Sequence, residues 1–289
     1  TLASTDSQYL TPTSGAPVRG LIQDHLSRGV WMTSKNTFFT RERYQELVYG
    51  CVRRHQKITS GGRNFRIRTL PPAIWLPAPL WTGKQVISTV LLNVLPQGVP
   101  GLNMQSHNKI KNEYWGEGSH ENEVLFKNGQ LLCGTLDKSQ YGSSKYGLIH
   151  AIHETYGPHV AQRTLSALGR LLTNYEQWIA FTCGMDDMEL TGSGNAVRAK
   201  ILRGAREAGR QAAAEVTNLS PGISAANPEF HRRLEEVLRD PHKHDILDAV
   251  TMSKVNAITS QVVSACVPAG TAKKFPENAM QSMALSGAK

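Results

Sequence analysis

The chain has 289 residues, of which 40% are hydrophobic and 19% charged, with a formal net charge of +9. That composition is globular and sufficient for one large domain or two ordinary ones. No apolar run approaches the ~18 residues of a membrane span, and the opening TLASTDSQYL lacks the basic-then-apolar order of a secretory signal.

The positive excess is uneven. Residues 1–183 carry 19 Lys and Arg against 11 Asp and Glu, whereas residues 184–289 carry 13 against 12. It is densest over 41–68, where Arg41, Arg43, Arg53, Arg54, Lys57, Arg63, Arg66 and Arg68 face only Glu42 and Glu46. Such a field attracts polyanions or nucleotides. A solvated face beside Gly61-Gly62 is the plainer reading. The cysteines, at 51, 133, 183 and 266, have no CxxC spacing. This argues against a zinc site or a disulfide framework and for buried free thiols.

Residues 1–30 alternate short apolar pieces with Pro and Gly, a pattern of irregular, closely packed chain. Thr40 is a candidate cap for a helix whose apolar face is Tyr44, Leu47, Val48 and Cys51. Residues 53–69 are polar and basic without periodicity. Pro71, Pro72, Pro77 and Pro79 predict a stiff extended lead-in to Trp81. After Gly83, the spacing of Val86, Ile87, Val90, Leu91, Val94 and Leu95 predicts a short buried helix. The polar 97–122 stretch reads as a surface loop. Glu123–Lys127 and Gln130–Gly134 flank Asn128-Gly129, the dipeptide of two-residue hairpin turns.

Past Gly157-Pro158 a long helix is predicted to about Ala180, with Ala161, Leu165, Leu168, Leu172, Tyr175 and Ile179 on one stripe. Residues 195–217 read as a helix with a weak stripe at Val197, Ile201, Ala205, Ala208 and Ala212. A second helical stretch spans 229–267, broken near Pro241, and the pair suggests an antiparallel helical hairpin. The expected fold class is therefore α+β: a mixed first part, 1–183, with a β-hairpin and several helices, then a mainly helical part, 184–289. The missing initial Met and the end at Ala288-Lys289 suggest a segment of something longer.

Gln23, Asp24 and His25 form a polar cluster able to hydrogen-bond a ribose or a base edge, with Asp24 and His25 as an alternative acid–base pair. They also fit an ordinary loop cluster closing a turn. Thr82 and Lys84, with Gln85, stand at a helix start where free N–H groups favour a phosphate. The flanking glycines of a P-loop are absent, and a capped helix anchored by Trp81 is equally compatible. His150, His153 and Glu154 lack the spacing of a zinc-protease helix and read as structural. Asp186-Asp187 reads as a pair of helix-end acids. Basic residues at 198, 200, 203, 206 and 210 share one helix side that, with Glu207 and Glu215 interspersed, reads as solvated.

Several long motifs then stand in a telling order: PTSGAPVRGLIQDH at 12–25, FFTRERYQELVY at 38–49 and PLWTGKQ at 79–85. ENEVLFKNGQLLCGTLDKSQYGSSKYGLIH at 121–150, NYEQW at 174–178 and FPENAMQSMALSGAK at 275–289 follow. Together they resemble the largest subunit of a multisubunit RNA polymerase just after its catalytic loop. FFTRERYQELVY and LDKSQYGSSKYGLIH look more like polymerase I than II or III. The family's aspartate-rich, magnesium-carrying loop does not occur in these residues. The resemblance thus implies no catalytic and no metal-binding residue here, and Mg2+ bound outside this chain.

The resemblance further implies a pore domain lining the secondary channel (1–183) and a helical funnel (184–289). Gln23, Asp24, His25, Thr82, Lys84 and Gln85 would line the channel, and Asn256, Gln281 and Ser286 the inner funnel surface. The implied partners are nucleoside triphosphates, the RNA 3′ end, DNA through the whole enzyme, the second-largest subunit and a zinc-ribbon cleavage subunit. The implied place is the nucleus, in the nucleolus. The residues alone leave open a free-standing basic nucleic-acid-binding module, driven by 41–68. A small hydrolase using His25 or His150 lacks a nucleophile or metal constellation.

Overall fold

Gly157 and Pro158 open helix α6 (Pro158–Ile179), and Pro at the first position forfeits no hydrogen bond there. Ala161, Leu168, Leu172 and Tyr175 are buried along it as the spacing predicts, joined by Thr164, Ala167 and Leu171, while Ile179 is exposed. The computed structural model describes residues 3–53, 67–220, 222–224, 226–266 and 270–288. The chain divides into two units, Thr1–Cys183 with Phe275–Lys289, and Gly184–Lys274.

In the first unit, α6 is packed by α1 (Asp24–Thr33), α2 (Arg41–Val52), α3 (Gly83–Val94) and α5 (Leu148–Tyr156). Tyr44, Leu47, Val48 and Cys51 of α2 are buried, as expected from their stripe, against Val86, Ile87, Val90 and Leu91 of α3. Two short strands, β1 (Phe38–Phe39) and β2 (Trp81–Thr82), pair antiparallel and bring the starts of α2 and α3 together. Trp81 stacks on Tyr44 at 4.9 Å, and the Tyr44 hydroxyl meets Thr89 Oγ1 at 2.7 Å.

The predicted hairpin is β4 (Glu123–Lys127) and β5 (Gln130–Cys133), turning at Asn128 and Gly129 with φ of 51° and 77°. Both residues of such a turn need positive φ, which this dipeptide tolerates. The expected 97–122 loop instead contributes β3 (Met104–His107), which makes a three-stranded sheet in the order β3-β4-β5, and a 3-10 turn at Asn112–Trp115. Asn108 holds that region in place: its amide donates to the carbonyls of Glu121 and Thr135 at 2.7 and 3.0 Å. A short α4 (Lys138–Tyr141) follows, capped by the buried Asp137 carboxylate, which accepts from Ser139 N–H at 2.9 Å.

The second unit is shorter than the expected 184–289 part. Residues 275–289 cluster with the first unit, where α10 (Ala279–Ser286) packs on α1 and Phe275 sits in a small core with Val30 and Ile110. In the second unit α7 (Gly192–Val216) packs on α9 (Pro241–Cys266), with α8 (Pro228–Arg239) across the turn end. The break at Pro241 is present. Ala213, Ala214 and Phe230 form the core at that end. The open end is closed by Thr191 N–H donating to Gly270 C=O at 2.8 Å and by Ala272 N–H donating to Glu189 C=O at 2.8 Å. Among the described residues no helix is long and apolar enough to cross a membrane.

Two further expectations change. The prolines of 71–79 do not make an extended lead-in: Ile74 and Leu80 bridge antiparallel and turn the stretch back on itself. Of the thiols expected to be buried, Cys51 and Cys266 are, Cys133 is intermediate and Cys183 is exposed. Burial holds the Cys51 thiol up at about 12, against a smaller opposing effect of Arg170. At pH 8 its thiolate is therefore roughly one part in ten thousand.

Gly83 is the tightest point of the first unit, since a Cβ there would lie 1.7 Å from the Met32 carbonyl oxygen. Gly83→Ala is expected to destabilise the chain by about 3 kcal/mol, read as a lowered urea midpoint; an unchanged midpoint would show that α1 yields freely. Maleimide at neutral pH should modify Cys183 first and reach Cys51 only after unfolding. Equal native rates would contradict the burial described.

Candidate functional site

The candidate channel residues lie at the two ends of one helix. At the start of α1, Leu21 N–H donates to Tyr141 C=O at 2.8 Å and Leu26 N–H to Gln23 C=O at 3.0 Å. Between these fixed points Gln23 adopts φ 54° and ψ −127°, a region costly for any residue with a side chain. Gln23 and Asp24 are exposed there, beside Ile22, which is 69% exposed. His25 turns away from them: its Nε2 meets Thr173 Oγ1 of α6 at 3.0 Å. Asp24 sits in the first turn of α1, where the helix dipole favours a negative charge.

The second group is committed to structure. Thr82 Oγ1 accepts from Gln85 N–H at 3.2 Å, and Gln85 Oε1 accepts from Thr82 N–H at 3.1 Å, a reciprocal cap on α3. The Gln85 amide also donates to Pro71 C=O at 3.0 Å. Lys84 Nζ donates to Thr33 C=O at 2.7 Å and lies 2.8 and 3.0 Å from the two Glu121 oxygens. An ammonium has three protons, so this one has no donor left for a phosphate. Lys84 therefore meets the last residue of α1, whereas Gln23 precedes its first. At 1.5 Å per residue Gln23 and Thr33 are about 15 Å apart along the helix. Thr82, Lys84 and Gln85 line a cleft of about 470 Å³ with Lys35, Ser88 and Glu121, away from the Gln23 turn.

The candidate funnel residues also separate. Asn256 is exposed on α9 of the second unit. Gln281 and Ser286 belong to the first unit and are buried. Gln281 Oε1 accepts from Phe275 N–H at 2.8 Å, and the Ser286 hydroxyl lies 3.3 Å from that of Ser27. Their polarity serves the seat of α10 rather than an open surface.

His150 accepts from Tyr146 N–H at 3.0 Å, and His153 lies 3.3 Å from Glu154. Asp186 and Asp187, expected as helix-end acids, stand on a 3-10 turn and pair with Lys273 at 3.0 and 3.2 Å. Among the described residues no three His, Cys, Asp or Glu converge to hold a metal ion. In the basic 41–68 segment, Arg43 covers the Trp178 ring at 4.4 Å, and an Arg68 nitrogen donates to Leu92 C=O. Arg54, Lys57, Arg63 and Arg66 lie outside the described residues.

Two residues that matter escaped the reading of motifs. Glu121 is the buried partner of Lys84, and a Glu between His120 and Asn122 in a polar stretch gives no signal of that. Arg28, 1% exposed, lies between Trp31 at 4.3 Å and Phe181 at 4.6 Å and donates to Ala180 C=O at 2.7 Å. It holds the end of α6, where Ala180 has φ 54°. Only the burial of its neighbours distinguishes it from a surface arginine.

Lys84→Ala leaves the buried Glu121 carboxylate unpaired and is expected to destabilise the chain by about 3 kcal/mol. The double variant Lys84→Met with Glu121→Leu should recover most of that loss, as urea unfolding would show. Losses that simply add would mean the pair is not coupled.

Comparison with known proteins gives the family. Residues 8–188 match the family model described as RNA polymerase Rpb1, domain 3. The chain is 66% identical over 288 residues to the DNA-directed RNA polymerase I subunit RPA190 of Saccharomyces cerevisiae, covering all of this chain and 17% of that protein. It is 49% identical over the same length to the polymerase I subunit rpa1 of Schizosaccharomyces pombe, again 17% of that protein. Against the human polymerase III subunit RPC1 the identity is 30% over 65% of this chain and 13% of that protein. The chain thus spans about a sixth of the length of the polymerase I relatives it matches. With the family model covering most of its length and polymerase I identity running through all of it, the chain belongs to the RNA polymerase largest-subunit family, as a polymerase I segment that includes Rpb1 domain 3.

Proposed function

We propose that this chain is a wall of the secondary channel in the assembled polymerase I, which synthesises ribosomal RNA in the nucleolus. In this reading Thr1–Cys183 with Phe275–Lys289 is the pore, and Gly184–Lys274 the funnel. Nucleoside triphosphates pass the pore inward, and the RNA 3′ end enters it when the enzyme backtracks. The funnel helices dock cleavage or elongation factors, among them the zinc-ribbon subunit, and the second-largest subunit completes the enclosure.

The observation that carries the reading is the Gln23 turn. A strained backbone persists only where surrounding structure over-determines it, and such strain gathers at functional positions. Here it presents an exposed amide and an exposed carboxylate from a rigid helix end. The charge of the first 183 residues supports it: an excess of eight Lys and Arg raises the local concentration of triphosphates.

The chemistry assigned to this chain is positioning and electrostatics for phosphoryl transfer. Mg2+ supplies Lewis-acid stabilisation in such enzymes. The carboxylates here do not fit that ion, since Asp186 and Asp187 close on Lys273 and Glu121 on Lys84. The ion is therefore assigned to polypeptide outside this chain, and no step is routed through it.

Gln23→Ala in the full subunit, assembled into polymerase I, removes one hydrogen-bonding group and leaves the fold intact. The apparent KM for nucleotides should rise, or cleavage of backtracked RNA should slow, by about fivefold, the equivalent of about 1 kcal/mol. Unchanged elongation and unchanged cleavage would remove the turn from the channel.

A further inference from the structure

The second unit is closed at its two ends and loose between them. At its base the entering and leaving segments run antiparallel, with Leu190 bridged to Thr271 beside the two backbone bonds that join 189–191 to 270–272. The approach is close: a Cβ on Gly194 would lie 2.5 Å from the Gly270 carbonyl oxygen. Lys273 locks the same two segments. Its Nζ lies 3.0 Å from Asp186 Oδ2 and 3.2 Å from Asp187 Oδ1. The Asp187 carboxylate is buried, and its other oxygen accepts from Gly184 N–H at 3.0 Å.

The far end has the small core of Ala213, Ala214 and Phe230. Between the ends little is packed. Gly204 and Ala208 of α7 and Ala257 of α9 line a cleft of about 640 Å³. Along α9 only Cys266, at the base, is buried among the described residues. Val197 and Leu202 of α7, with Met252 and Val255 of α9, remain exposed. Gly204 and Gly209 stand inside α7 with open space where a Cβ would be, and each weakens the helix relative to Ala.

The first unit is built differently, on one continuous core that runs through α2, α3 and α6 and takes in no residue of 184–274. Regions with few buried apolar contacts open at a lower free energy than well-packed ones, and they do so as contiguous cooperative pieces. The chain enters the second unit at Gly184 and leaves it at Lys274, both next to the locked residues. The hairpin can therefore come apart without drawing any side chain out of the other core. With so little packed along its length, the ion pair at the base carries an unusual share of what keeps it shut.

We propose that the second unit is a conformational device of its own, a helical hairpin latched at its base by Lys273, which opens and recloses while the first unit stays folded. The proposal goes beyond the channel reading and does not depend on it. Every Trp and Tyr of the chain lies within residues 1–183. Their fluorescence therefore reports the first unit, whereas far-ultraviolet ellipticity reports the helices of both. In a reversible urea titration of the 289-residue chain, ellipticity should fall in two steps, and fluorescence should change only with the second. Lys273→Met removes the cation beside a buried carboxylate and should lower the midpoint of the first step by at least about 0.5 M. Gly209→Ala places a methyl in open space on the helix and should raise that midpoint. Both variants should leave the fluorescence midpoint where it is. A single step shared by both probes, ellipticity lost only after the fluorescence change, a variant that moves the fluorescence midpoint, or a first step that Lys273→Met leaves in place would overturn the proposal.

Discussion

The first unit depends on one close approach, the start of α3 against the end of α1. Gly83 lets the helix N-terminus come within contact of the Met32 carbonyl, and Lys84 then ties the Thr33 carbonyl to the Glu121 carboxylate. Burying an ion pair gives little net stability, because desolvation offsets most of the attraction. Its value here is specificity of position: the ammonium and carboxylate fit only one arrangement of α1, α3 and the segment before β4. Trp81, Thr82 and Gln85 complete the arrangement by stacking and capping.

This changes the meaning of the LWTGKQ block. It reads equally as a phosphate-holding helix start and as a capped helix anchored by Trp81, and the fold takes the second course. In the fold every polar group in it is engaged by neighbouring protein. The block builds the joint, and the exposed polar groups stand at the other end of α1. The first unit contributes shape, charge and a strained turn, and among the described residues no three His, Cys, Asp or Glu converge to hold a metal ion.

Periodicity and turn chemistry made much of the fold legible. The α2 and α6 stripes, the Asn128-Gly129 hairpin and the break at Pro241 all follow from local rules. What local rules miss is pairing at a distance. The strand at Met104–His107 is polar and short, and becomes a strand because β4 offers it an edge. Pro71 to Pro79 looked extended until the Ile74–Leu80 bridge closed it. Residues 275–289 follow the helical hairpin in sequence but belong with the first unit, because Phe275 finds its core with Val30 and Ile110. At the candidate site, the polarity of Gln23 is legible in the sequence, whereas its positive φ is not. Glu121 carried no mark of its pairing.

The joint at Lys84 and the turn at Gln23 are opposite ends of the same ten-residue rod. A helix of that length bends little, so a disturbance at one end is carried to the other as a shift of the whole strut. Lesions in the LWTGKQ block would then be felt at the exposed Gln23 turn, ten residues away along α1. Second-site suppressors of such lesions would map to the flanks of α1 and to the segment around Glu121.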